Sequence, residues 1–143
     1  MSSMNISKAS VATRVSLDVA AGTSDIDTDI LDMTGFESVV WHVSVGTLTA
    51  GQVTSLTVQH GDDSGLSDVA NAATTGTAFA DADDDKMAVV EYFRPTKRYV
   101  RLRIERATQN AVIDSVTATQ YFAHKQPTTN GSTVISTALV TGS

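Results

Sequence analysis

The sequence predicts an all-β protein, a jelly-roll-like antiparallel β-sandwich with extended N- and C-terminal arms. Composition is the first reason: Val, Thr, Ser, Ala, Asp and Gly dominate, while the strong helix formers Leu, Glu and Lys are scarce. The second is alternation. In Tyr99-Val100-Arg101-Leu102-Arg103-Ile104-Glu105-Arg106, apolar Val100, Leu102 and Ile104 alternate with Arg101, Arg103 and Glu105, the period of a strand with one buried face. The third is punctuation. Turn-forming clusters separate seven or eight strand-like segments, with no convincing helix and no repeat of fixed length. At 143 residues the chain has the size of one domain, and such a domain buries roughly two-thirds of the surface its unfolded chain exposes.

Residues 1–10 are small and polar and read as an N-terminal arm, residues 11–124 as the sandwich, and residues 125–143 as a C-terminal arm or edge strand. The first strand places Val11, Thr13, Val15, Leu17 and Val19 on one face and Ala12, Arg14, Ser16 and Asp18 on the other. Residues 21–32 form an acidic connection, and Thr34-Gly35 a turn. Residues 36–45 are the most apolar strand, and the neighbours Val39 and Val40 suggest a central position with both faces covered. A loop at 46–51 leads to a strand at 53–60. Gly61-Asp62-Asp63-Ser64-Gly65 then supplies turn chemistry, since Gly and Asp tolerate positive φ and Asp bonds its own backbone. The Ala/Thr-rich stretch to Gly76 reads as a long surface excursion whose end Phe79 pins to the core. After acidic 81–85 comes a strand at 87–93, ended by Arg94-Pro95-Thr96. Residues 97–122 read as a β-hairpin that turns at Ala107-Thr108-Gln109-Asn110, and the β-branched 133–140 has no obvious second face.

The formal net charge is −6, and its distribution is more telling than its total. From Val15 to Asp85 there are thirteen acidic residues and no lysine or arginine; residues 86–106 then hold seven of the ten bases. Something acidic should lie against the row of guanidinium groups on 97–106. One reading is an internal match with acidic loops of the same domain. The other is a two-signed surface that docks onto other subunits, because complementary patches guide and register association.

Several chemistries find no support. The absence of cysteine excludes thiolate metal sites and thiol catalysis. Asp25-x-Asp27-x-Asp29 resembles a calcium loop, but the sixth and twelfth positions need Gly and Glu and hold Ile30 and Phe36; Asp81-x-Asp83-x-Asp85 fails likewise at Lys86 and Tyr92. His42, His60 and His124 have no zinc-type spacing, and no nucleophile elbow or phosphate loop occurs. No cofactor and no enzymatic activity are therefore expected. Arg94 to Arg106 with Tyr92 and Tyr99 could form a basic face for nucleic acid, yet a sequence pI near 4.8 opposes encounter with phosphate. Trp41 or Tyr99 as a carbohydrate platform is the lesser reading beside a place in the core or at its rim. No apolar run is long enough to cross a membrane. Met1-Ser2-Ser3-Met4-Asn5 lacks a basic region and an apolar core, so no signal peptide is expected, and the triplets at Asn5 and Asn130 carry no glycosylation meaning.

Three stretches carry a family resemblance: Phe36-Glu37-Ser38-Val39-Val40-Trp41-His42-Val43, Thr57-Val58-Gln59-His60-Gly61-Asp62-Asp63, and Lys97-Arg98-Tyr99-Val100-Arg101-Leu102-Arg103-Ile104. In this order they resemble the small capsid cement (decoration) proteins of tailed bacteriophages, over roughly residues 36–121. The resemblance implies a jelly-roll-like sandwich on the outside of a phage head, made in the host cytoplasm, bridging neighbouring major capsid proteins. It further implies a homo-oligomer, a dimer before a trimer. No catalytic residue travels with it. The contact residues expected are Arg94, Arg98, Arg101 and Arg103 with the two arms. The alternative is a receptor- or carbohydrate-binding β-domain of a head fibre or tail.

Overall fold

A computed structural model describes residues 5–142, with the backbone alone for residues 73–77. The predicted arms therefore reach beyond it at residues 1–4 and at Ser143. Ten strands follow one helical turn, α1 (Ile6–Ala9): β1 (Val11–Ser16), β2 (Val19–Gly22), β3 (Ile26–Asp27), β4 (Leu31–Asp32), β5 (Phe36–Leu48), β6 (Val53–Gly61), β7 (Ala70–Phe79), β8 (Met87–Phe93), β9 (Tyr99–Ala107) and β10 (Ala111–Ala123).

The strands form two antiparallel sheets. One runs β1-β10-β5-β8, with β2 also on β10; the other runs β3-β9-β6-β7, with β4 also on β9. Take β1 with β2, and β3 with β4, as two broken strands. The chain then has eight, paired first with eighth, second with seventh, third with sixth and fourth with fifth, and the pairs alternate between the sheets. That is the jelly-roll order.

Alternation fills the space between the sheets. Val39, Trp41, Val43 and Val45 of β5 face Val100, Leu102 and Ile104 of β9 and Leu56 and Val58 of β6, all 5 % exposed or less. Fully burying one such side chain contributes about 1.5–3 kcal/mol. Register shifts on either side of Ile113 let β10 change phase, so that Ala111 and Ile113, then Val116 and Ala118, all reach the core. Phe79 is buried as expected.

Five sequence expectations need correction. Residues 97–122 are not a hairpin: β9 pairs with β6, β3 and β4, whereas β10 pairs with β5, β1 and β2. The turn at 107–110, with Thr108 at φ 71°, carries the chain from one sheet to the other. Both segments read as strands, and strand character does not say which strand is the partner. The first strand breaks at Leu17-Asp18, leaving Leu17 67 % exposed while Val15 is buried. The acidic connection contains β3 and β4, which lie along β9. The Ala/Thr-rich excursion is largely β7, paired with β6. β5 is central within its sheet, but Val40 on its outer face is only half-buried.

Candidate interaction surfaces

The basic strand meets its acidic partner within the same domain. β3 and β4 run antiparallel to β9, setting Asp27 opposite Arg103 and Asp32 opposite Tyr99, next to Arg98. Asp27 accepts from Arg103 Nε at 2.7 Å and Nη2 at 3.0 Å, a two-pronged pairing, and lies 3.6 Å from Arg101 Nη2. Arg101 Nε donates to Gln59 Oε1 at 2.8 Å, and Gln59 donates on to Asn71. Asp32 takes both prongs of Arg98, at 3.0 and 2.9 Å. Hydrogen bonding from Arg103 holds the Asp27 carboxyl below its usual range against the opposing pull of burial. The Arg98 guanidinium does the same for Asp32, more strongly, with help from the Thr34 backbone. Arg98 and Arg103 are raised in turn.

Of the four predicted contact residues, then, Arg98, Arg101 and Arg103 lie beside carboxylates of their own domain, three guanidinium groups to two carboxylates, with Asp27 shared by Arg101 and Arg103. Arg94 stands elsewhere. It leaves β8 in the left-handed region at φ 54°, gives its N–H to Ser38 Oγ, and sets its guanidinium 5.1 Å from the Phe93 ring centre. Among the described residues no carboxylate lies within ion-pair distance of it.

Arg106 departs from the row. It lies on the core-facing side of β9, 6 % exposed, in phase with Val100, Leu102 and Ile104. Its Nη1 donates to the carbonyls of Ala20 and Ala111, and its Nε to that of Ser24, all within 2.9 Å. Burial pushes its guanidinium below the usual value while Asp25 pulls the other way. Gly22 leaves room for it: a Cβ there would come 3.1 Å from Nη2. Arg106 thus clamps the β2 segment to the start of β10.

The two arms lie together along the outer edge of β1. The Thr128 N–H donates to the Lys8 carbonyl at 3.0 Å and its hydroxyl to the Ser10 carbonyl. Asn130 Oδ1 accepts the Ala12 N–H at 2.8 Å, and Thr133 Oγ1 the Arg14 N–H at 3.1 Å. Side-chain oxygens thereby stand in for a neighbouring strand along this edge. A shallow cleft of about 370 Å³ separates strap from sheet, lined by Ile6, Ser10, Ala12, Asn130 and Val134 among others. Ile135, Leu139 and Val140 point outward, at 101, 50 and 88 % exposure.

The remaining candidate residues have local roles. The carboxylate of Asp81 accepts from the Gly51 N–H, that of Asp83 from Ala80, and that of Asp84 from Leu48, which closes the loop before β8. His60 Nδ1 lies 2.8 Å from the Tyr92 hydroxyl, joining β6 to β8. Trp41, the proposed sugar platform, has no exposed surface and its indole N–H meets no acceptor among the described residues, so it offers no ring to a glycan. Tyr99 is half-buried, with the Arg98 guanidinium 5.0 Å from its ring centre. Sequence reasoning missed the individual carboxylates Asp27 and Asp32 and the inward turn of Arg106. The spacing of Asp27 and Asp32 resembles that of Arg103 and Arg98, a signal readable only once the two segments are known to be antiparallel neighbours. Compared with models of known protein families and with curated proteins, the chain matches none of them.

Proposed function

We propose that this chain is a structural virion protein, a capsid cement or decoration protein that binds the outer surface of a phage head. It bridges major capsid proteins and stabilises the shell. The observation that carries this reading is the double strap along β1. Two terminal segments are held by a few hydrogen bonds to backbone groups, and the apolar residues near the end of the C-terminal one face outward. Such a strap can leave its own edge for a neighbour's at little cost, because each bond contributes only about 0.5–1.5 kcal/mol. An extended segment adds readily to another sheet edge. Repeated over many copies, weak contacts become firm attachment.

The internal pairing of Arg98, Arg101 and Arg103 refines the expected contact set. In a shell these residues would meet a partner largely neutralised, with one positive charge in excess over Asp27 and Asp32, fixing register more than affinity, and Arg94 would add a charge with no carboxylate beside it among the described residues. The protein would do no chemistry and hold no cofactor, its partners being the major capsid protein and further copies of itself. The test is co-sedimentation of the purified full chain with undecorated phage heads. Saturable binding that weakens on deletion of residues 125–143 supports the reading. Absence of binding, or equal binding by the truncated chain, rejects it.

A further inference from the structure

One of the four asparagines precedes a glycine. Asn130 is followed by Gly131, whereas Asn5, Asn71 and Asn110 are followed by Ile6, Ala72 and Ala111. An asparagine amide is open to attack by the main-chain nitrogen of the next residue, and a Cβ on that residue hinders the approach. Gly131 has no such atom, and nothing lies within 4 Å of where one would stand. The strap, however, holds the half-buried Asn130 amide at both ends. Its Oδ1 accepts the Ala12 N–H at 2.8 Å, and its Nδ2 donates to Thr137 Oγ1 at 2.8 Å. An amide pinned in this way must give up its partners before it can swing onto the Gly131 nitrogen.

We propose that Asn130 is a site of spontaneous deamidation guarded by the strap, slow while the strap lies on β1 and fast once it leaves. The Gly131 nitrogen loses its proton and bonds to Asn130 Cγ. The Cγ–Nδ2 bond breaks, and Nδ2 leaves as ammonia with that proton, closing a succinimide ring. Water then opens the ring. Addition at Cγ leaves an ordinary aspartate; addition at the main-chain carbonyl leaves isoaspartate, whose chain runs on through Cγ. The two products differ in consequence. Aspartate keeps an oxygen for the Ala12 N–H, and the Thr137 hydroxyl can turn to donate to it. Isoaspartate lengthens the main chain by a methylene, which carries Thr133 away from the Arg14 N–H that it accepts. Strap release thus favours a modification that hinders the strap's return.

The inference rests on the strap's hydrogen bonds and is assayed without phage heads, so its failure and that of the cement reading are distinguishable. The full chain is kept at mildly alkaline pH, either folded in buffer or unfolded in guanidinium chloride. Peptide mass spectrometry that separates aspartate from isoaspartate then follows Asn130, with Asn110 as the internal reference. Loss of the two hydrogen bonds should make the unfolded chain react about tenfold faster than the folded one. Thr137→Ala removes one of them outside the core, and its folded form should react at a rate between the two. Gly131→Ala should slow the reaction to the level of Asn110 in both states. Gly131 is not in the left-handed region and has open space around it, so this variant should fold. Equal rates in the folded and unfolded chain, or a Thr137→Ala variant no faster than wild type, overturn the guarding role. An unfolded chain that forms no product at Asn130, or a Gly131→Ala variant as fast as wild type, overturns the site.

Discussion

Replacing Arg106 tests the structural account most sharply, because a residue that reads as one of a solvent-facing basic row is in fact a buried clamp. Arg106→Ala takes a cationic donor from the carbonyls of Ala20, Ser24 and Ala111. Hydrogen bonds to a charged group contribute about 1.5–3 kcal/mol each, while burying a cation costs several kcal/mol, which the substitution recovers. The difference leaves a loss of about 3 kcal/mol. For a chain of this size that lowers Tm by roughly 6–12 °C. Arg106→Lys keeps the charge, but a single ammonium cannot match the fork that spans three carbonyls, so about half the loss should remain. Urea unfolding followed by circular dichroism gives the free energies, with the slope as a check on two-state behaviour. A loss below about 0.5 kcal/mol for Arg106→Ala, the range of ordinary surface substitutions, would refute the clamp. So would a lysine variant as stable as wild type.

Asp27 and Asp32 have folded-state pKa values depressed below 3.8 by their arginines. Their contribution is therefore complete above the unfolded carboxylate value and lost as pH falls through the folded one. Stability should hold from neutral pH to about 5 and decline below 3.8, and Asp27→Asn should flatten that acid limb; an unchanged limb in urea titrations would contradict the pairing. Deleting residues 125–143 removes no member of the buried apolar cluster. The truncated chain should keep a cooperative β-sheet unfolding transition, with a loss of about 1–3 kcal/mol from the unstrapped edge; loss of cooperativity would make the tail part of the core.

The sandwich was legible because period-two alternation in 36–45, 53–60 and 99–106 is a local property that follows from burying one face of each strand. Pairing was not. Residues 99–106 and 111–122 are adjacent in sequence and both read as strands, yet their partners are β3, β4 and β6 for one and β1, β2 and β5 for the other. Which strand lies beside which is settled by contacts distant in sequence. β3 and β4 are two residues each, too short for any period to register. The charge asymmetry was visible as two blocks, but its resolution into Asp27 with Arg103 and Asp32 with Arg98 needed the antiparallel register. Arg106 follows the alternation that buries Ile104, so its direction was readable, although a charge at an inward position invites the opposite assignment.

The central claim is that this molecule works by adhesion to a shell. Its most direct test is the melting temperature of undecorated phage heads with and without the purified chain. The account predicts a rise that saturates at a fixed number of copies per head and needs more protein to reach when residues 125–143 are removed. An unchanged melting temperature at saturating protein, with the chain remaining in solution, would contradict it.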